Sequence, residues 1–207
     1  MRIDVYSDTI CPWCFIGKRR LERAMAARPD VPVKVHWRPF QLNPHMPKGG
    51  MDRQHYLNAK FGGEARASQV YAMIGESGLS EGIEFRFDRI LRTPNTLDTH
   101  RLVHLAAAGS RQEVVVEALF RAYFLEGIDI GEIGTLVDIG VGCGLDAEAV
   151  AGYLGSDDDV SEIMGEDLRA RRMGIDGVPC FIIDGRYAIA GAQEPEAFYP
   201  LFDLAVA

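Results

Sequence analysis

The sequence predicts an α/β fold: a β-α-β unit at the start, a β-β-α unit at the end, and a long helical insert between them. Three observations predict it. Residues 2–7 ("RIDVYS") and 33–40 ("VKVHWRPF") alternate apolar and polar side chains on either side of a helical pattern. Residues 180–190 hold two short apolar runs around Asp184-Gly185, a hairpin turn signal. From about residue 52 to residue 173, apolar residues recur at helical spacing.

The first helix is expected from Pro12 to about Ala27, with Phe15, Leu21, Ala24 and Met25 as its apolar positions. Pro12 suits the first helical position, where its missing N–H costs nothing. The three prolines and paired glycines of "RPFQLNPHMPKGG" read as a loop leading out of the sheet. In the insert, "TPNTLDTHRLVHLAAAG" opens on cap-type residues and closes on Gly109. "RQEVVVEALFRAYFLEG" puts Val115, Ala118, Leu119 and Ala122 on one face, and "LDAEAVAGYL" is a short Ala-rich helix. "SDDDVSEIMGEDLRARRMG" has Ser156 and Asp159 at capping-box spacing, acids at its start and arginines at its end. Helices that each bury one stripe pack as a bundle. Residues 180–183 read as a buried strand, "RYAIA" as its returning partner, and Pro195 to Leu204 as a short final helix. The expected division is a sheet domain of residues 1–45 and 174–207, with residues 46–173 inserted.

A chain of 207 residues, 47% apolar and 25% charged, can build one domain with a sizeable core and an insertion. A net charge of −8 and the lack of a basic footprint speak against nucleic acid as a partner. No run of about 18 apolar residues is present, so no membrane span is expected. Met1 runs straight into the strand pattern with no export-signal pattern, and the chain is read as cytoplasmic. Four cysteines are too few for a disulfide scaffold.

Cys11 and Cys14, with Pro12 and Trp13 between them, could hold a metal, form a structural disulfide, exchange electrons or be inert thiols. A structural zinc needs four ligands, usually in two close pairs. Cys143 and Cys180 are 37 residues apart and form no pair, so no metal is expected. A CxxC beside a strand in a reducing compartment points to redox chemistry. The attacking species in disulfide exchange is the thiolate. Cys11 precedes the first helix and Cys14 lies in its first turn, so Cys11 meets the positive end of the helix dipole. That end favours an anion by about 0.3–1 kcal/mol, and by up to about 2 kcal/mol when partly buried.

With the insert removed, the element order is that of a thioredoxin fold. "SDTICPWCFIGKRRLE", "NTLDTHRL", "AYFLEGIDI", "GLD" and "GVPCFIIDGRYAIAGAQEPEAF" resemble the DsbA family, with the nearest likeness to its FrnE-type branch. That branch is related to 2-hydroxychromene-2-carboxylate isomerases and kappa-class glutathione transferases. The resemblance covers nearly the whole chain. It implies a thioredoxin fold with a large inserted helical domain and a thiol-disulfide oxidoreductase, used as reductase or isomerase. Cys11 would attack and Cys14 would resolve the mixed disulfide. No cofactor is implied beyond the redox-active Cys11–Cys14 disulfide, with glutathione as a possible co-substrate. The resemblance also implies a cis Val178–Pro179 bond facing Cys11, with Pro12, Trp13, Val178 and Pro179 contacting an extended substrate. The implied partners are thiols and disulfides, in proteins or small molecules, and homodimers are common in relatives. Pro-Trp adds no cation to the pair. The expected reduction potential therefore lies between about −270 mV (thioredoxin) and about −120 mV (DsbA).

Other residues carry two readings each. Asn95 and His100 fall in the N-T-x-x-x-H-R segment of the family, and read as cap and packing residues or as part of the active-site cleft. Cys180 directly follows Pro179, where relatives usually carry another residue; it is a small buried hydrophobe or a third thiol near Cys11. Cys143 reads as a packed loop residue, and Asp8, three residues before Cys11, as a possible influence on it. A second function, from another reaction class, is glutathione-dependent isomerisation or transfer. Relatives with that activity typically carry Ser at the first position of the pair and a G-S-D segment after the final hairpin, where this chain has Cys11 and "GAQEPE". A third is a non-catalytic binding module, which the intact CxxC opposes.

Overall fold

The computed structural model describes residues 1–204, without the Glu64 side chain; residues 205–207, the end of the expected C-terminal segment, lie outside it. The chain opens with β1 (Arg2–Ser7), α1 (Pro12–Ala26) and β2 (Lys34–Pro39). The middle holds β3 (Met51–Asp52), α2 (Arg53–Phe61), α3 (Glu64–Ser80), β4 (Arg92–Thr93), α4 (Leu97–Leu105) and α5 (Gln112–Arg121). It continues with α6 (Ile133–Gly142), α7 (Ala147–Gly155) and α8 (Val160–Arg172). The chain then returns through β5 (Cys180–Ile183) and β6 (Tyr187–Ala190) to α9 (Tyr199–Asp203).

Four strands make one sheet in the order β2-β1-β5-β6. β1 and β2 run parallel, with Val5 opposite Trp37, which requires the α1 crossover between them. β5 is antiparallel to β1, pairing Val5 with Phe181 and Tyr6 with Cys180. The β5–β6 turn places both Asp184 (φ 49°) and Gly185 (φ 66°) in the left-handed region that a two-residue hairpin needs. Asp184 Oδ1 also accepts from the Arg2 amide at 2.7 Å.

Period two separates the two faces of the sheet. Ile3, Val5, Phe181 and Ile183 join the main core, which includes Phe15 and Ile16 of α1. Tyr6, Cys180 and Ile182 turn the other way, onto Phe40, Ala170 of α8 and Ile175. α1 meets the insert through rings: Phe15 stacks on Phe120 at 5.0 Å and meets Phe85 edge-on at 6.1 Å. Phe85 continues to Phe87 at 4.8 Å and Phe87 to Tyr71 at 4.4 Å. Charged clamps add to this contact: Arg20 of α1 pairs with Glu81 at 3.0 Å and with Glu194 at 2.6 Å. The helix carrying the cysteines is thereby fixed to both the insert and the C-terminal segment.

The insert departs from the expected all-helical pattern at three places. Met51–Asp52 pairs with Arg92–Thr93 in a small second sheet. Gly50, at φ 69°, lies where a Cβ would come within 2.7 Å of the Thr93 carbonyl oxygen. α5 runs into a π turn over Ala122–Glu126 before Gly127. The expected capping box does not form, because Asp159 adopts φ 59° and makes no cap bond. Ser156 instead donates to the Tyr153 carbonyl and accepts from the Asp158 amide. The final helix is broken into a 3-10 turn (Pro195–Ala197) and α9, since Pro200 has no N–H to continue a ladder.

Candidate active site

Cys11 is the N-cap of α1, with extended dihedrals (φ −94°, ψ 110°), and Pro12 opens the helix. The Cys11 amide donates to the Asp8 carbonyl and the Cys14 amide to the Cys11 carbonyl, both at 3.0 Å. Both cysteines are free thiols and largely buried, at 4% and 1% exposure, while Trp13 between them is 37% exposed. The Cys11 thiol donates to the Val178 carbonyl oxygen at 3.5 Å. The next peptide bond, Val178–Pro179, is cis. α1 can lie this close because residue 17 is glycine: a Cβ there would sit 2.8 Å from Pro179 Cγ and 3.2 Å from Phe181 Cζ.

Burial pushes the Cys14 thiol well above its ordinary range, and the neighbouring Cys11 sulfur adds to this. The Ser7 side chain and the Asp8 backbone act the other way. Cys14 is thus held protonated.

The structure brings Cys11, Pro12, Cys14, Val178 and Pro179 together, with Trp13 at the rim. Cys180 does not join them: of its two readings the structure bears out the small buried hydrophobe and corrects the place at the cleft. Alternation in β5 sends Phe181 toward α1 and Cys180 to the opposite face, among Phe40, Ala170 and Ile175. Burial raises its thiol, with Asp176 adding to the effect. Asn95 is occupied structurally: its Nδ2 donates to the Met46 carbonyl at 2.6 Å and its Oδ1 accepts from the Leu97 amide at 2.9 Å. His100 is buried, its Nε2 3.6 Å from Asp8 Oδ1. Cys143 packs with 5% exposure, its thiol directed at the Val114 carbonyl. Ser7 and Gly17 were not legible as site residues. A serine ending a strand and a glycine inside a helix gain meaning only from what the fold sets opposite them. Among the described residues, one group of three metal-ligating side chains lies within 4.8 Å, His104, Asp159 and Glu162, and it contains no cysteine.

A CxxC pair at the head of a helix, on a four-stranded sheet and beside an X-Pro bond, defines the class of DsbA-like thiol oxidoreductases. The chain belongs to the DsbA-like thioredoxin domain family, whose model matches residues 2–201. A structure described as a probable DsbA oxidoreductase, SCO1869 from Streptomyces coelicolor, is 34% identical with a TM-score of 0.90, covering 100% of this chain and 90% of that one. A 2-hydroxychromene-2-carboxylate isomerase is 16% identical with a TM-score of 0.72, covering 100% and 94%. The cytosolic disulfide reductase DsbM from Pseudomonas aeruginosa, solved with GSH, is 19% identical with a TM-score of 0.69, covering 100% and 99%. Among the described residues, no helix is long and apolar enough to cross a membrane.

Proposed function

We propose that the chain is a thiol-disulfide oxidoreductase working as a reductase or isomerase, with Cys11 as nucleophile and Cys14 as resolving thiol. The observation that carries this reading is the Cys11 thiol at the N-cap of α1, 3.5 Å from the Val178 carbonyl, with Cys14 in the turn behind it. The helix end favours the thiolate that must attack. The Cys11 thiolate attacks a substrate disulfide, the S–S bond breaks, and one substrate sulfur leaves as thiolate while the other stays on Cys11. Cys14 loses its proton and attacks the Cys11 sulfur. The Cys11–Cys14 disulfide forms and the second substrate sulfur leaves. Two electrons have then passed from the pair to the substrate. Release of Cys11 by another substrate thiol gives isomerisation.

An extended substrate lying along Val178–Pro179 pairs with the backbone there, and Trp13 supplies an exposed apolar contact. Glutathione fits as the co-substrate that returns the pair to dithiol. The GSH-bound DsbM, a cytosolic reductase by its description, supports both that role and a cytoplasmic setting. The test is insulin reduction and refolding of a scrambled substrate, with glutathione, for wild type, Cys11→Ser and Cys14→Ser. Cys11→Ser should lose both activities. Full activity in that variant overturns the reading.

The likeness to an isomerase of 2-hydroxychromene-2-carboxylate supports a second reading, glutathione-dependent isomerisation or transfer. The segment after β6 favours it less. Gln193 donates back to the Ala190 carbonyl, and the Glu194 carboxylate is paired with Arg20. Isomerising or conjugating activity that survives loss of both cysteines would favour this second reading.

A further inference from the structure

Among the described residues, two buried side-chain polar atoms lack a hydrogen-bond partner, Asp8 Oδ1 and His100 Nε2. They face each other at 3.6 Å. Asp8 is fully buried, and its other oxygen accepts from the Leu42 amide at 2.7 Å. Two bare lone pairs cannot face each other in a buried site without cost, so one proton belongs between these atoms. Asp8 therefore fixes the imidazole with Nε2 protonated and leaves Nδ1 as the basic nitrogen, as a buried carboxylate orients a catalytic histidine.

His100 also lines a cavity of about 130 Å³, together with Ser7 and Thr9 of the β1–α1 segment. At about 30 Å³ per water, the space accommodates several. Ser7 is the link to the redox pair, because its side chain acts on the Cys14 thiol and the residue also borders this cavity. The other titratable or charged groups lining it are His36 and Arg38 from β2, His104 from α4 and Glu166 from α8. Arg38 and Glu166 neutralise each other at 3.2 Å, and the His104 Nε2 is paired with Asp159 at 3.6 Å. His100, backed by Asp8, is the base on the Ser7 side.

We propose that the Asp8–His100 pair takes the proton from Cys14, by way of Ser7 and the cavity, when Cys14 attacks the mixed disulfide. This rests on the disulfide-exchange reading above. The balance is complete. The Cys14 proton moves to His100 Nδ1, the Cys14 thiolate bonds to the Cys11 sulfur, and the substrate sulfur leaves as thiolate. The protonated imidazole then returns its proton to that thiolate or to water. The pair positions and accepts the proton and does not touch the substrate.

The experiment uses reduced full-length protein and a chromogenic aryl disulfide, whose coloured thiol is released twice: when Cys11 attacks, then when Cys14 resolves. In wild type both releases should appear, and Cys14→Ser should give only the first. In His100→Gln the first release should keep its wild-type rate. The second should slow by about 10²-fold near pH 7 and recover toward wild type as rising pH ionises Cys14 directly. Ser7→Ala, which leaves Asp8 and His100 in place, should slow the same step with the same pH recovery. A wild-type second step across all pH in His100→Gln overturns the proposal. So does an equal, pH-independent loss in both steps with far-UV dichroism unchanged, which marks a structural role. If His100→Gln fails to fold, Ser7→Ala decides by the same two outcomes. Absence of the first release in wild type would instead overturn the disulfide-exchange reading itself.

Discussion

Gly17 on α1 and Pro179 before β5 are in contact so close that a Cβ at residue 17 would lie 2.8 Å from the proline ring. This contact sets how near the redox helix approaches the Val178 carbonyl. Helix propensity alone favours Gly17→Ala by up to about 1 kcal/mol. Overpacking against a ring and Phe181 costs about 1–3 kcal/mol. The second effect should win, lowering stability by up to about 2 kcal/mol in urea denaturation and reducing disulfide-exchange activity more than stability. A more stable variant with full activity would show that α1 does not need this approach.

Arg20, Glu81 and Glu194 tie α1, the end of α3 and the segment after β6 together. The Glu81 side chain is 1% exposed and takes both Arg20 and Arg23. Removing one partner of a buried pair costs about 3–5 kcal/mol. Arg20 would keep Glu194 at 2.6 Å and the Ala192 carbonyl at 2.6 Å. Glu81→Ala should therefore cost about 3 kcal/mol, read from the urea midpoint. A loss below about 1 kcal/mol would mean that Glu194 alone holds the arginine.

The β-α-β and β-β-α units were legible because alternation, Pro12 and Asp184-Gly185 are local signals. The cysteine pair was legible for the same reason. The interlocks were not. Gly17 reads as a weak point of a helix until Pro179, more than 160 residues later, is folded against it. Asp8 read as an influence on Cys11 and His100 as a packing or cleft residue, and only the docking of α4 on the segment after β1, where Thr9 meets Thr99 at 2.8 Å, makes them a pair. Cys180 carried two readings because its neighbour in sequence, Pro179, is at the site; strand alternation turns its own side chain away and decides for the buried hydrophobe. Asp159 has the right spacing for a capping box and the wrong backbone for one.

The reduced protein should lose stability at alkaline pH. Burial raises the Cys14 thiol well above its ordinary range, and raises Cys143 and Cys180 as well. For an acid raised on folding, the native state binds more protons than the unfolded state once pH passes the unfolded value, about 8.5 for a thiol. The stabilising effect is fully present below that pH and is lost above it. The urea midpoint of reduced wild type should fall between pH 8 and pH 10, and fall less in Cys14→Ser. Equal slopes for the two proteins would show that Cys14 is not the titrating group.

Trp13 offers the means to separate substrate contact from redox poise. It is 37% exposed and lies between the cysteines, so Trp13→Ala should change stability by no more than about 0.5 kcal/mol. Loss of an aromatic anchor should raise KM for a protein disulfide by about 5- to 30-fold, the equivalent of about 1–2 kcal/mol, with little change for a small aryl disulfide. An equal loss on both substrates would place the tryptophan in the chemistry and not in recognition.

Trp13→His asks the converse question. The wild-type potential is expected between about −270 and −120 mV, since Pro-Trp adds no cation to what the helix end supplies. A protonated imidazole near the Cys11 sulfur stabilises the thiolate of the reduced form by about 1–2 kcal/mol. At about 30 mV per 1.4 kcal/mol, that raises the potential by about 20–40 mV. The rise needs imidazolium and thiolate together, so it should be largest between about pH 6.5 and pH 8 and fade on either side. Equilibration against glutathione over that range measures it. An unchanged potential across that range would mean that the side chain at residue 13 points too far from the sulfur to act on it, and that the exposed rim and the buried thiol are electrostatically separate.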